Sequence, residues 1–496
     1  GNRTMYNTSY RHHRNSYRTP RPCRMTKVVL TSVLGFLLVF ITYRSGPKVQ
    51  KEGLANDLAR CSILDVSTPD LSKMTELDLK GCGLKEIPAT IRYATNIRKL
   101  DVSNNPLVTL PPELIYCTNL DILFASSCPS ITSLPKVLGK MHSITRLGWR
   151  SGSLTEIDPD GLPPNLVHII LTDNQITELD DVRILQKVQK VRKLMLSHNR
   201  LSSFGKDGGV ELLQNLELLR LGGNLLNEIS DALWGLPKLT WLTISGNPVT
   251  NAFKSKMTAK VPSIKMSDVK PTGKYLGEGA SGNVELYEWK KKQVAVKLIH
   301  GVTSDGNAED ELAIYSAVGS SGIQNRVVGC LALLDDDERK GVVMEALPPN
   351  LDDFALPPTI IEVTEDRWDT SSSAFSAAFV RNALNDSIQA LAFLHNAGVS
   401  HGDFYAHNMK VDRRTGRVYL FDFGASYFKG DYAIQAEKLE VRAFGVFVNE
   451  LIRLMDPQDD SEALKEKLVS LHSQCTNGNV SERPSFSAIE TIVKSL

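Results

Sequence analysis

Apolar residues recur along the first half of the chain with one spacing. Ile97 opens IRKLDVSNNPLVTL, Leu166 opens LVHIILTDNQITEL, Val191 opens VRKLMLSHNRLSSF, Leu216 opens LELLRLGGNLLNEI and Leu239 opens LTWLTISGNPV. Weaker copies begin at Met74, Leu120 and Ile144, so the eight starts lie 23, 23, 24, 22, 25, 25 and 23 residues apart. The apolar places turn inward and stack on the next unit. The ninth place holds Asn105, Asn174, Asn199, Asn224 or Asn247, whose amide can satisfy the backbone of neighbouring turns, and Cys82 and Cys128 take that place in two copies. No unit can bury its apolar face alone, so the pattern predicts a stack of short strands.

Each copy fits L-x-x-L-x-L-x-x-N-x-L, the leucine-rich repeat. Residues 74–250 are therefore expected to form an α/β solenoid whose concave strands bind an unknown protein ligand. Candidate exposed positions are Arg98, Lys99, Asp101, Arg146, His168, Lys193, Arg220 and Trp241, while Trp149 takes an inward place and is expected in the core. No N-x-S/T acceptor lies between Met74 and Val249, which favours an intracellular solenoid.

Residues 251–270 read as a Lys-rich linker, and from Tyr275 the pattern becomes two alternating strands with a turn. Gly277, Gly279 and Gly282 spell G-x-G-x-x-G, followed by Val284 and, fifteen residues after Gly282, by Lys297 in VAVK. Glycines let backbone approach phosphates closely, and Lys297 can neutralise them. Lys297 needs a carboxylate partner; the helical stretch Ala308 to Val318 offers Glu311, with Glu309 as competitor. The apolar strand GVVMEALP would carry an adenine ring at its end, with Met344 behind it and the backbone of Glu345 and Leu347 bonding it. HGDFYAHN places Asp403 five residues before Asn408, and Asp422 follows in FDFG, fourteen residues later. That set suits an acid that orients a hydroxyl and accepts its proton, Asp403, with two oxygen ligands for Mg²⁺, Asn408 and Asp422.

This ordered series resembles the protein kinase superfamily over residues 271–496, and residues 74–496 resemble a leucine-rich-repeat protein kinase. The resemblance implies a bilobal α+β protein kinase fold after the solenoid. It implies ATP and Mg²⁺ as cofactors, a protein substrate, and Ser/Thr hydroxyls in preference to Tyr. By resemblance the nucleotide site comprises Leu276, Gly277, Glu278, Gly279, Ala280, Ser281, Gly282, Val284, Ala295, Lys297, Met344, Glu345 and Leu347, and the catalytic group Asp403, Lys297 and Glu311. EVRAFGVFVNELI resembles the helix that anchors the lower lobe, and Arg483 in SERPSF matches an Arg that pairs with a Glu at the end of the activation segment. The departures are Gly402 in place of the Arg of H-R-D, Tyr405 where Ser/Thr kinases carry Lys, His407 where receptor tyrosine kinases carry Arg, no A-P-E, and a short activation segment. H-G-D-x-x-x-x-N also resembles the loop of aminoglycoside and choline kinases, so a small-molecule phosphotransferase is the competing reading. An inactive scaffold, a pseudokinase, is the third.

Composition changes this picture little: 42% apolar and 23% charged residues and a net charge of +1 give no sign of nucleic-acid binding. The charge is uneven, because no Asp or Glu precedes Glu52 whereas Arg and Lys are frequent in residues 1–27, expected as a basic disordered tail. Residues 28–43 form an uncharged apolar run of sixteen, a candidate membrane anchor, signal or transit segment, or buried core helix. The folded part is expected to face the cytoplasm, tethered by that one segment if the run is retained. Seven scattered cysteines without a CxxC pair argue against a disulfide framework or zinc site and for a reducing compartment.

Overall fold

The computed structural model describes residue 61 and most of 63–496, leaving out 62, 66–67, 207, 255–260, 280–281, 300–305, 337–338, 370–373 and 457–461. Residues 1–60 lie outside the described set, and with them the basic tail and the apolar run 28–43. Among the described residues no helix is long and apolar enough to cross a membrane.

Each repeat gives one three-residue strand: β1 Glu76–Asp78, β2 Lys99–Asp101, β3 Ile122–Phe124, β4 Arg146–Gly148, β5 His168–Ile170, β6 Lys193–Met195, β7 Leu218–Arg220 and β8 Trp241–Thr243. They pair in parallel, in chain order, into one eight-stranded sheet. The Asn ladder shows why the ninth place is polar. Asn105 Nδ2 donates to the carbonyls of Leu79 at 2.9 Å and Val102 at 2.8 Å, and its Oδ1 accepts from Leu84 N at 2.9 Å. Buried backbone groups that have no sheet partner at the turn are satisfied this way. Cys128 substitutes with Sγ 3.6 Å from the Val102 carbonyl. Trp149 is fully buried, as an inward place requires.

Cys61 and Cys82 are each disulfide-bonded, whereas Cys117, Cys128, Cys330 and Cys475 are free, buried thiols. These two depart from the expectation of scattered thiols outside any disulfide framework, and with it goes one support for a reducing compartment.

The helix α1 (Pro248–Lys254) closes the repeats, and β9 (Ser263–Ile264) lies in what was expected to be a bare linker. Five further strands, β10 (Lys270–Gly279), β11 (Gly282–Trp289), β12 (Lys292–Ile299), β13 (Cys330–Asp336) and β14 (Arg339–Glu345), complete a sheet of order β10-β11-β12-β14-β13-β9. Its helix α2 (Ala308–Val318) is capped by Asn307, whose side chain accepts from Asp310 N. The helical half that follows is built on α3 (Ala377–Asn396), α4 (Ala433–Leu454), α5 (Glu462–Cys475) and α6 (Phe486–Lys494), with a three-stranded sheet of β15 (Asp352–Asp353), β17 (Met409–Val411) and β18 (Val418–Leu420) and a pair of β16 (Val399–Ser400) and β19 (Tyr427–Phe428).

The apolar cores do not respect the boundary between the halves. Met195, Leu218 and Trp241 of the repeat strands belong to the core of the helical half, and Tyr427, Ala436 and Leu439 belong to the core of the repeats.

Candidate active site

Lys297 is on β12, whose register sets Ala295 opposite Met344 of β14, so these two side chains lie on the same face of the sheet. One turn into α2, Glu311 meets Lys297 at 2.6 Å. Both side chains are buried, at 6% and 1% exposure, and Asp422 Oδ1 lies 3.5 Å from the same ammonium. Burial works to lower the Lys297 pKa, but Asp422, Tyr315 and Glu311 outweigh it and hold the ammonium well above its usual range. Glu309, the competitor, points outward near Lys254 with 73% exposure.

The glycine loop is the β10–β11 turn. A Cβ at Gly282 would sit 1.9 Å from the Leu298 carbonyl oxygen, so only glycine allows the strands this close. Leu276 is exposed, Val284 half-buried, and Ala295 and Met344 buried. Gly277 sits at a register shift of β10, the backbone of Glu278 and Gly279 continues that strand, and Ala280 and Ser281 lie outside the described residues. Glu345 ends β14, its carboxyl pushed up by burial, and Leu347 follows, packed on the helical core.

The loop after β16 carries the acid. Glu440 of α4 anchors it: its Oε1 accepts from Gly402 N at 2.6 Å and from Ser400 Oγ at 2.9 Å, and Oε2 bonds His395. His401 bridges Phe421 O at 3.1 Å and Asp403 N at 3.3 Å. Asn408 Nδ2 donates to Asp403 O at 2.8 Å and Asp403 Oδ2 at 2.9 Å. Phe421 N bonds Asn408 O at 3.0 Å, which brings Asn408 beside the Asp422 segment. Asp422 has φ +66°, a strained value for a non-glycine residue, and Phe423 locks it by packing edge-on against Tyr315 at 4.8 Å. With Nδ2 engaged, Asn408 keeps Oδ1 and Asp422 its carboxylate: two hard oxygen donors, which suits Mg²⁺ completed by phosphate oxygens and water.

The repeats reach into this loop. Arg220 of β7 donates through Nη1 to Gly402 O at 2.9 Å and through Nη2 to Asp403 Oδ1, with 3% of the Arg220 side chain exposed and 20% of Asp403. Burial works to raise the Asp403 pKa, and the Arg220 guanidinium, helped by His407 and His401, holds it below the usual range. Trp241 of β8 stacks on Tyr405 at 4.1 Å and donates to Phe404 O at 2.9 Å. His407 bonds Asp366, N to Oδ2 at 3.1 Å and Nδ1 to Oδ1 at 2.5 Å. A cavity of about 510 Å³ lies along the seam, lined by Arg192, Glu217, Trp241, Asp366, Arg442 and Glu450 among others.

Two expectations are corrected. Arg220, Trp241 and His168, expected as open positions of a ligand-binding face, are all buried against the same chain. Arg483 bonds the carbonyls of Asn477 at 3.0 Å, Lys438 at 3.0 Å and Pro237 at 2.8 Å, rather than a carboxylate; Glu437 caps Phe486 N at 2.7 Å. Arg220 and Asp366 were missed as site residues, because their partners are far away in the chain.

The family model described as "Protein kinase domain" matches residues 271–438, and models described as "Leucine rich repeat" and "Leucine Rich Repeat" match 189–249 and 96–117. The chain has the leucine-rich-repeat protein kinase architecture: repeats first, kinase domain second. Among curated proteins, it is 29% identical over 177 residues to "Probable U2 small nuclear ribonucleoprotein A'" of Caenorhabditis elegans, 35% of this chain and 63% of that one. It is 34% identical over 104 residues to "U2 small nuclear ribonucleoprotein A'" of Homo sapiens and of Mus musculus, 20% of this chain and 39% of each. The chain thus spans less than two thirds of these relatives. A solved Leptospira interrogans LRR protein is similar at 26% identity and TM-score 0.31, over 37% of this chain and 54% of that one.

Proposed function

We propose that this leucine-rich-repeat protein kinase transfers the γ-phosphate of ATP to a protein hydroxyl, Ser/Thr before Tyr, at the site centred on Asp403. The observation that supports this most is the closed set of contacts: Lys297 paired with Glu311 at 2.6 Å, Asp422 beside them, and Asp403 held by Asn408 at 2.9 Å. Positioning and charge stabilisation provide most of the rate in phosphoryl transfer, and these are what the assembled residues offer. Lys297 would hold the α- and β-phosphates, and the glycine loop would cover them. The purine would lie beside Ala295, Val284 and Met344 with its edge on the Glu345–Leu347 backbone. Asn408 and Asp422 would hold Mg²⁺, which neutralises charge developing on the phosphates. Asp403 orients the acceptor hydroxyl and takes its proton; the new bond joins that oxygen to the γ-phosphorus, and the bond to the β,γ-bridging oxygen breaks with ADP leaving.

A second reading is favoured by one observation. The repeats cover the catalytic loop and leave 20% of the Asp403 side chain exposed, which suits a small acceptor. The full chain with Mg·ATP, assayed in parallel against itself, a Ser/Thr/Tyr peptide mixture and small amino-alcohols, separates the readings. Phosphate in protein or peptide, mapped by mass spectrometry, supports the first; phosphate only in amino-alcohols overturns it. Orientation of the kinase toward the cytoplasm, with residues 28–43 as tether, is part of the same proposal, since the reaction needs ATP and Mg²⁺. Protease protection on intact microsomes tests it: shielding of the kinase domain until detergent is added contradicts that placement.

A further inference from the structure

Asp403 must orient the acceptor, so what holds its carboxylate decides how well the site works. One oxygen accepts from Asn408 and the other from Arg220, which comes from the repeats. The catalytic loop itself offers Gly402, Tyr405 and His407 at places where a strong cation could stand, and His407 is engaged with Asp366 at 2.5 Å. We propose that Arg220 is a positioning residue of the kinase site, supplying from the repeats the cation that the catalytic loop lacks, so that the solenoid is part of the catalytic machinery. The proposal rests on the reading of Asp403 given above.

Four observations support it. The loop sequence is fitted to the docked repeats: at Gly402, with φ +72°, a Cβ would lie 2.7 Å from Leu242 O and 2.6 Å from Ala425 O, so an Arg there would collide with β8. Tyr405, in the other cationic place, forms the stacking partner of Trp241 at 4.1 Å. The repeats also steady the helix that carries Glu311, because Asp310 accepts from Gly246 N and pairs with Lys254 at 2.8 Å. Finally, Met195, Leu218 and Trp241 are built into the core of the helical half, so departure of the repeats would expose contiguous apolar surface. The Lys297–Glu311 pair is closed while Arg220 is docked. With a guanidinium on one carboxylate oxygen and an amide on the other, the plane of Asp403 is fixed, and each oxygen keeps a lone pair that an acceptor hydroxyl could use.

The test uses the full chain and steady-state autophosphorylation over a range of Mg·ATP, with nucleotide affinity from a fluorescent ATP analogue and melting temperature as a folding control. Arg220→Met is expected to lower kcat about 100-fold, the cost of a misplaced group, and to leave KM for ATP within about threefold. Arg220→Lys should recover kcat to within about tenfold of wild type. Arg220→Gln, which keeps a donor for Gly402 O without charge, should fall with Arg220→Met and serves if the latter does not fold. A rate in Arg220→Gln or Arg220→Met equal to or above wild type overturns the proposal and makes the contact a brake. A wild type that transfers nothing overturns the reading of Asp403 itself, whereas an active wild type with equally active variants overturns only the contribution of the repeats.

Discussion

If the repeats and the kinase share one core, removing the residue that joins them must cost stability in both. Trp241 is that residue: 3% exposed, stacked on Tyr405 at 4.1 Å with ring planes 8° apart, and bonded to the Phe404 carbonyl at 2.9 Å. Trp241→Ala removes a buried aromatic side chain, which in cores costs about 3–5 kcal/mol. Within that total, the stack is worth about 0.5–1.5 kcal/mol beyond area burial and the hydrogen bond about 1 kcal/mol. Trp241→Phe keeps most of the burial and orphans Phe404 O, so about 1–2 kcal/mol is expected. Urea unfolding of the full chain, read both by circular dichroism and by hydrogen exchange at the catalytic loop, is the assay. Wild type should lose the two halves in one transition, and Trp241→Ala should shift the midpoint down and split the transition. Separate transitions already in wild type, or a Trp241→Ala cost below about 1 kcal/mol, would refute the shared core.

Lys297→Met should abolish turnover and, by leaving Glu311 as a buried charge, destabilise the chain by about 3–5 kcal/mol; Lys297→Met with Glu311→Gln should restore stability in thermal melts without restoring turnover. Activity should not require phosphate on the activation segment, because Ser426 Oγ is committed to His401 O at 2.8 Å, Tyr427 is buried, and the Tyr432 hydroxyl accepts from Ile229 N at 3.1 Å. Mass spectrometry of the active chain should find these three unmodified, and stoichiometric phosphate there would contradict the reading. His168, pushed down to about 3 by burial with help from Lys193 and Arg146, stays neutral when folded and takes up a proton only on unfolding. Stability should therefore fall as pH drops from about 6.5 toward 3, by about 2 kcal/mol at pH 5. His168→Gln should flatten that part of the profile, and an unchanged pH slope in the variant would sink the assignment.

The parts of this protein that read directly from sequence are those fixed by short-range chemistry. The repeat period is legible because each unit must present apolar places to the next and an amide to its turns, and Asn105 does in space what its place in the pattern requires. Lys297, Glu311, Asp403, Asn408 and Asp422 are picked out by their order and spacing, and the structure brings them together: Lys297 with Glu311 and Asp422, and Asp403 with Asn408. The seam is different. Arg220 meets Gly402 across 182 residues and Trp241 meets Phe404 across 163, with no periodicity linking them. Gly402 and Tyr405 stood out as departures, but the reason for them, the backbone of Leu242 and the indole of Trp241, exists only once the halves are packed. Arg483 carried a motif whose carboxylate partner is replaced here by carbonyls, one of them from Pro237 of the repeats. An Arg or Trp on a repeat strand looks the same in sequence whether it meets solvent, a partner or its own chain.

The central claim is phosphoryl transfer at Asp403, and the most direct measurement compares full-length wild type with Asp403→Asn for Mg²⁺-dependent transfer of labelled γ-phosphate, alongside nucleotide binding by each. The substitution preserves shape and keeps one of the two contacts, to Asn408 or to Arg220, while removing the proton acceptor. Wild type should transfer robustly, and Asp403→Asn should bind nucleotide nearly unchanged but transfer at least about 100-fold more slowly, equivalent to about 2.7 kcal/mol in the barrier. Transfer by Asp403→Asn above about a tenth of the wild-type rate would contradict that claim.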